Sequence, residues 1–202
     1  VVESTHPDYA VGEQLMARFA WQEYSVSDGS DFIARLPAPL EYEPRRYLGV
    51  LGDTGMSAWF GMQEIGRPAP GECVLVSAAA GAVGSIAGQL ARLGGARVVG
   101  IVGNDTKARR IVDELGYDAA VVPSSGEPLA AAIRQACPAG VDLYFDSVGG
   151  AMLEAAIECM NVDGRIVMCG AIAGYGAAEP EPGPRNLFEV VTRQLSLKGF
   201  MT

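Results

Sequence analysis

Apolar residues fall into two regimes along this chain, and the change comes at Cys73. Beyond it, short continuous apolar runs alternate with stretches whose apolar residues recur every three or four positions. That is the pattern of buried strands separated by amphipathic helices. It predicts strands at 73–79, 97–102, 119–123, 141–147 and 164–170, and helices at 85–93, 106–115, 128–136 and 150–160. A Gly/Pro/Glu-rich loop at 174–184 leads to a last helix at 186–193 and a last strand at 195–200. Regular alternation of this kind implies an α/β architecture, a doubly wound parallel sheet with helices on both faces.

Before Cys73 the apolar residues alternate over short runs at 14–19, 22–26 and 32–36, broken by Gly, Pro and Asp, which predicts small antiparallel strands. Pro37, Pro39 and Pro44 mark a boundary. Two helices are expected next, at 45–51 and 56–65, split by the Gly52-Asp53-Thr54-Gly55 turn and closed by Pro68, Pro70 and Gly71. The expected organisation is a partial β domain at 1–44, connecting helices at 45–72 and a sheet domain at 73–202.

The chemistry concentrates at CVLVSAAAGAVGSIAGQLARLGGARVVGIVG, which reads as strand, small-residue turn, helix and strand. Ala79, Gly81 and Gly84 occupy the three positions of a dinucleotide fingerprint, with alanine in place of the first glycine. Such a turn lets the amides of Gly81, Ala82, Val83 and Gly84 approach a pyrophosphate at the positive end of a helix. The plain alternative is a packing turn between strand and helix. An NAD-binding strand usually ends in an acid that accepts from the ribose 2′-hydroxyl. Here the strand ends at Gly103, followed by Asn104, Asp105, Thr106 and Lys107, with Arg109 and Arg110 nearby. A cation there suits the 2′-phosphate of NADPH. Alternatively Asp105 caps the next helix and Lys107 is a solvated charge, or Asp105 binds the ribose of NAD.

Composition narrows the partners. A net charge of −9 with no Lys/Arg cluster disfavours nucleic acid and anionic membrane surfaces and favours a small soluble ligand. Cys73, Cys137, Cys159 and Cys169 lack ligand spacing and lie in apolar runs, as buried thiols of a reducing cytoplasm do. No apolar run approaches the roughly 20 residues of a membrane span. The one histidine, His6, sits in HPDY and reads as a loop residue.

GMSAWFGMQEIG (55–66), AAAGAVGS (78–85), DLYFDSVGG (142–150), CGAIAGY (169–175) and GPRNL (183–187), in that order, resemble the zinc-independent medium-chain dehydrogenases/reductases, in the branch of prostaglandin reductase, leukotriene B4 dehydrogenase and alkenal double-bond reductase. The resemblance implies a Rossmann-type domain joined to part of a GroES-like β domain, within a longer protein. It implies NADPH as cofactor and hydride transfer to the carbon–carbon double bond of α,β-unsaturated ketones or aldehydes, giving an enolate that is then protonated. Cofactor contacts carry over to Ser57, Asn104, Lys107, Ser147, Cys169, Gly170, Ala171, Ile172, Tyr175, Phe200, Met201 and Thr202. Tyr175 is the candidate catalytic residue, orienting a carbonyl or supplying a proton, although loop tyrosines more often serve as walls. Arg185 and Asn186 are candidates for cofactor or substrate contact, with Asn186 equally suited to capping the last helix.

Two positions depart from the family: Pro123 stands where a tyrosine contacts the phosphate region, and Ser147 where asparagine is common. Asp53 replaces a frequent methionine and is read as turn-forming. No structural zinc is expected, because VGEQLMA passes into FAWQEYSV without the cysteines of a structural zinc lobe, and the resemblance to a zinc-independent branch implies no catalytic zinc. Homodimers joined through edge strands occur in the family, and 195–200 is a candidate edge. A quinone reductase is a neighbouring reading, and a dinucleotide-binding module without turnover, or one part of a larger synthase, is the reading from another class.

Overall fold

The computed structural model describes residues 1–124, 126–176 and 182–202. The loop expected at 174–184 therefore lies partly outside the described residues. Two compact units emerge, Val1–Asp53 and Thr54–Thr202.

The first unit holds a two-stranded antiparallel ladder, β1 (Leu15–Met16) with β2 (Ala34–Arg35), in the register Leu15 to Arg35 and Met16 to Ala34. The strand expected at 22–26 is absent, with Trp21, Tyr24 and Val26 exposed. Alternation marks residues fit for a strand, but a strand also needs a neighbouring backbone to pair with. The helix expected at 45–51 shrinks to the single turn α1 (Pro44–Tyr47), with proline at its start, because the chain turns through Gly49 and Gly52.

α2 (Asp53–Trp59) begins three residues earlier than expected, and Asp53 is its first residue rather than part of a turn. A carboxylate there complements the helix dipole. The helix continues as a π-helical turn, Phe60–Gly66, ended by Arg67 in the left-handed conformation. A period of 3.6 cannot reveal such a widening.

Next comes the sheet: β3 (Cys73–Val76), α3 (Ala82–Leu93), β4 (Arg97–Ile101), α4 (Asp105–Asp113), β5 (Ala119–Val121), α5 (Leu129–Ala136), β6 (Val141–Asp146), α6 (Gly150–Ile157), β7 (Met160–Met168), α7 (Phe188–Thr192) and β8 (Ser196–Gly199). All its pairings are parallel, in the order β5-β4-β3-β6-β7-β8. The chain winds outward through β4 and β5, then returns to the other side of β3 as β6. The switch point between β3 and β6 is where such sheets bind ligands, beyond the strand C-termini.

Alternate strand residues feed two cores. Leu75, Val99, Ile101, Tyr144 and Ile166 pack with Ile133, Leu153 and Ile157 of α5 and α6. Val74, Val76, Val98, Phe145 and Val167 pack with Ala87 and Ala91 of α3, Ile111 of α4, and Ala58 and Met62. β7 starts four residues before the expected 164 and α6 stops short of 160; Asp163 at φ 61 and a register shift between Val141 and Leu143 absorb the difference. β3 ends at Val76, so residues 77–80 form a turn in which Ala78 takes a φ of 47.

Candidate functional site

At the end of β3, the helix begins earlier than the sequence pattern indicates. α3 starts at Ala82 with Gly81 as its N-cap, so Ala82, Val83 and Gly84 are its first turn rather than loop. Gly81 brings no side chain to cap this end, so among the described residues the first donors of a twelve-residue helix are not satisfied by a cap. Gly84 makes this geometry possible, since a Cβ there would lie 2.4 Å from the Ala78 carbonyl oxygen and 2.9 Å from Ala79 Cα. The Tyr117 hydroxyl donates to the Gly84 carbonyl at 2.7 Å and pins the turn from behind.

β4 leads to a second helix start. Asn104 is the N-cap of α4, its Oδ1 accepting from the Lys107 amide at 2.9 Å. Asp105 therefore lies in the first turn and is not the cap. Asn104 Oδ1 is engaged with the backbone, while Lys107 stands exposed one turn into the helix.

The β6 exit holds a cluster that sequence reading missed. Asp146 and Ser77, both fully buried, face each other across the switch point, with Ser77 Oγ donating to Asp146 Oδ1 at 3.1 Å. Tyr144 donates to the same oxygen at 2.9 Å, and burial, reinforced by the neighbouring carboxylate, pushes its phenol well above the ordinary range. Ser147 Oγ is buried without a hydrogen-bond partner among the described residues. The only sequence signal was the polar pair at the ends of two otherwise apolar strands.

Loops 147–149 and 169–173 are knitted together. Ile172 donates to the Ser147 carbonyl at 3.2 Å and Ala173 to the Val148 carbonyl at 3.1 Å. The Tyr175 hydroxyl accepts from the Ala171 amide at 3.4 Å and is otherwise exposed. Burial raises the Cys169 thiol above its ordinary value, as suits a residue that lends backbone rather than a nucleophile. Ser147, Cys169, Gly170, Ala171, Ile172 and Tyr175 thus form one continuous patch.

A further expected group meets elsewhere in the same unit. Ser57 on α2 shares a 2.7 Å hydroxyl contact with Thr202, and the Phe60 and Phe200 rings lie 5.6 Å apart. Met201 is exposed. Arg185 and Asn186 hold α6: the Arg185 amide and guanidinium both donate to the Glu154 carboxylate, and Asn186 Nδ2 donates to the Glu154 carbonyl at 2.9 Å. Asn186 is thus neither the cap of the last helix, which is Leu187, nor committed through both its amide atoms.

Among the described residues no group of three or more His, Cys, Asp or Glu is arranged to hold a metal, and no helix is long and apolar enough to cross a membrane. An uncapped helix start, a cation beyond β4 and an unpartnered buried hydroxyl at the switch point fit the phosphates, 2′-phosphate and ribose or amide of a dinucleotide.

A zinc-binding dehydrogenase family model matches residues 82–202. The chain belongs to that family. Relatives of the chain include the NADPH-dependent curcumin reductase of Escherichia coli (strain K12), 38% identical over 100% of the chain and 59% of the relative. The (+)-pulegone reductase of Mentha piperita is likewise 38% identical, over 100% of the chain and 58% of the relative. Among solved structures, CurA from Vibrio vulnificus in complex with NADPH matches with a TM-score of 0.88 and 33% identity, over 99% of the chain and 60% of CurA. These relatives put the chain in the reductase branch that its motifs resemble. It spans about three fifths of their length.

Proposed function

We propose that the protein uses NADPH to reduce the carbon–carbon double bond of α,β-unsaturated ketones or aldehydes. The observation that carries this reading is the likeness, over 99% of the chain, to CurA solved in complex with NADPH. The relatives named as curcumin and pulegone reductases supply the substrate class. NADPH would supply the hydride.

The chain's own residues then divide the work. Amides at Gly81, Ala82, Val83 and Gly84 hold the pyrophosphate, and Asn104 starts the helix that carries Lys107 to the 2′-phosphate. Ser147 and the backbone of Cys169, Gly170, Ala171 and Ile172 hold the nicotinamide ribose. Ser57, Phe200, Met201 and Thr202 line the carboxamide side. Tyr175 borders the substrate, with its hydroxyl near the developing oxyanion. No metal takes part in this scheme. The protein is further proposed to be cytoplasmic, and to form a homodimer through the outer edge of β8, whose residues are exposed.

The test is to mix full-length protein with NADPH and a panel of enones, enals and quinones and to follow NADPH absorbance. Enone or enal turnover supports the reading. Turnover of quinones alone replaces it with quinone reduction, and inertness toward the whole panel leaves a binding module.

A further inference from the structure

We propose that Asp146 is the positioning residue of the cleft, fixing both ligand-facing loops at the switch point without itself touching the ligand. This rests on the NADPH reading for its effect on affinity, and on the loops alone for its effect on structure.

Asp146 ends β6 and is fully buried. Among the described residues no Lys or Arg forms an ion pair with it. A buried carboxylate without a cation persists where donors satisfy it completely. Its Oδ1 accepts from Ser77 Oγ at 3.1 Å, Tyr144 OH at 2.9 Å, the Val148 amide at 2.9 Å and the Gly149 amide at 3.0 Å. Among the described residues Oδ2 accepts only from the Gly149 amide, at 3.1 Å.

The same residue reaches the next loop through its backbone, where its carbonyl accepts from Cys169 at 2.7 Å and Gly170 at 3.2 Å. Ser77 Oγ completes the frame by accepting from the Ser147 amide at 2.8 Å. One side chain therefore links the exits of β3 and β6, and its backbone adds the exit of β7. A carboxylate suits this place because every group pointing at it is an N–H or O–H donor. With the turn held, Ser147 Oγ remains buried and unpartnered, available to a ligand.

The two carboxylate oxygens are unequal, which gives the test its resolution. An asparagine oxygen in the Oδ1 position keeps all four donors there and gives up only the second Gly149 contact at Oδ2, where its NH2 meets another donor, whereas alanine keeps none. The experiment compares full-length wild type, Asp146→Asn, Asp146→Ala and Ser77→Ala by backbone amide exchange without cofactor and by NADPH titration. Asp146→Ala should speed exchange across 147–149 and 169–173 and raise the NADPH Kd about tenfold or more. Asp146→Asn should restore both to within about threefold of wild type. Unchanged exchange in Asp146→Ala overturns the proposal, as does Asp146→Asn behaving like alanine, which would assign the effect to charge. If Asp146→Ala does not fold, Ser77→Ala decides: faster exchange at 147–149 with weaker NADPH binding supports the proposal, and unchanged exchange overturns it. Wild type that fails to bind NADPH sinks the cofactor reading, while the exchange measurements still decide loop positioning.

Discussion

Lys107 shows how much one side chain is asked to decide. Its amide is committed to the Asn104 cap, which leaves the ammonium group as its free chemical handle. A charge-assisted contact to a phosphate contributes about 1.5–3 kcal/mol. Lys107→Ala should therefore weaken NADPH binding by roughly 10- to 150-fold and leave NADH binding unchanged, as titration by fluorescence would show. Tyr175 is tested by Tyr175→Phe. Its hydroxyl accepts from the Ala171 amide at 3.4 Å, which leaves the O–H free to donate to the developing oxyanion, so the loss in kcat/KM should be roughly 10²-fold or more. Glu154 shows a surface effect. Hydrogen bonds from Arg185 hold its carboxyl below the usual carboxylate value, so the folded value lies under the unfolded one. That contribution is in place above the ordinary carboxylate range and fades as pH falls through the lowered value. In Arg185→Gln, carboxyl NMR titration should find Glu154 returned toward its ordinary value.

Among the elements, the π-helical turn after α2 depends most on small size. Gly61 sits against two aromatic rings, and a Cβ there would lie 2.6 Å from Phe145 and 2.9 Å from Phe200. The turn is also tied down at its far end, where Arg165 donates to the Gly66 carbonyl at 2.8 Å and pairs with Glu72 at 2.6 Å. Overpacking of this kind costs about 1–3 kcal/mol. Gly61→Ala should thus lower Tm by about 2–10 °C in a scanning melt. It should also weaken NADPH binding, because Phe200 is pushed from the position it shares with Thr202 beside α2. The glycine was visible in the sequence, but its reason was not. Both rings belong to strand or post-strand segments more than eighty residues away, so only packing could expose the crowding.

At the scale of the whole molecule, the sheet order sets which loops meet. β3 and β6 are far apart in sequence yet adjacent in space, so the turns at 77–80 and 147–149 face one another. β7 and β8 add the 169–173 loop and Phe200–Thr202 along the same C-terminal edge. A ligand bound across that edge ties separate βα units together. NADPH at about 100 times its Kd should raise stability by about 2.7 kcal/mol. The corresponding rise in Tm is roughly 5–10 °C by differential scanning fluorimetry. An equal rise with NADH at the same concentration would count against the 2′-phosphate assignment.

The sequence by itself determined the alternation of buried strand and helix from Cys73 onward, because a parallel strand covered on both faces must be apolar throughout. It also determined the small-residue turn between β3 and α3, since close backbone approach there admits little beyond glycine and alanine. Tertiary structure decided the rest. The stretch at 22–26 alternates like a strand but pairs with no neighbour among the described residues, and β7 and α6 divide their border by a bulge that local pattern does not encode. Above all, nothing local to Asp146 in the sequence marks its role. Its meaning comes from donors supplied by Ser77 and Tyr144, and from a carbonyl reaching Cys169, contacts between segments that only the sheet brings together.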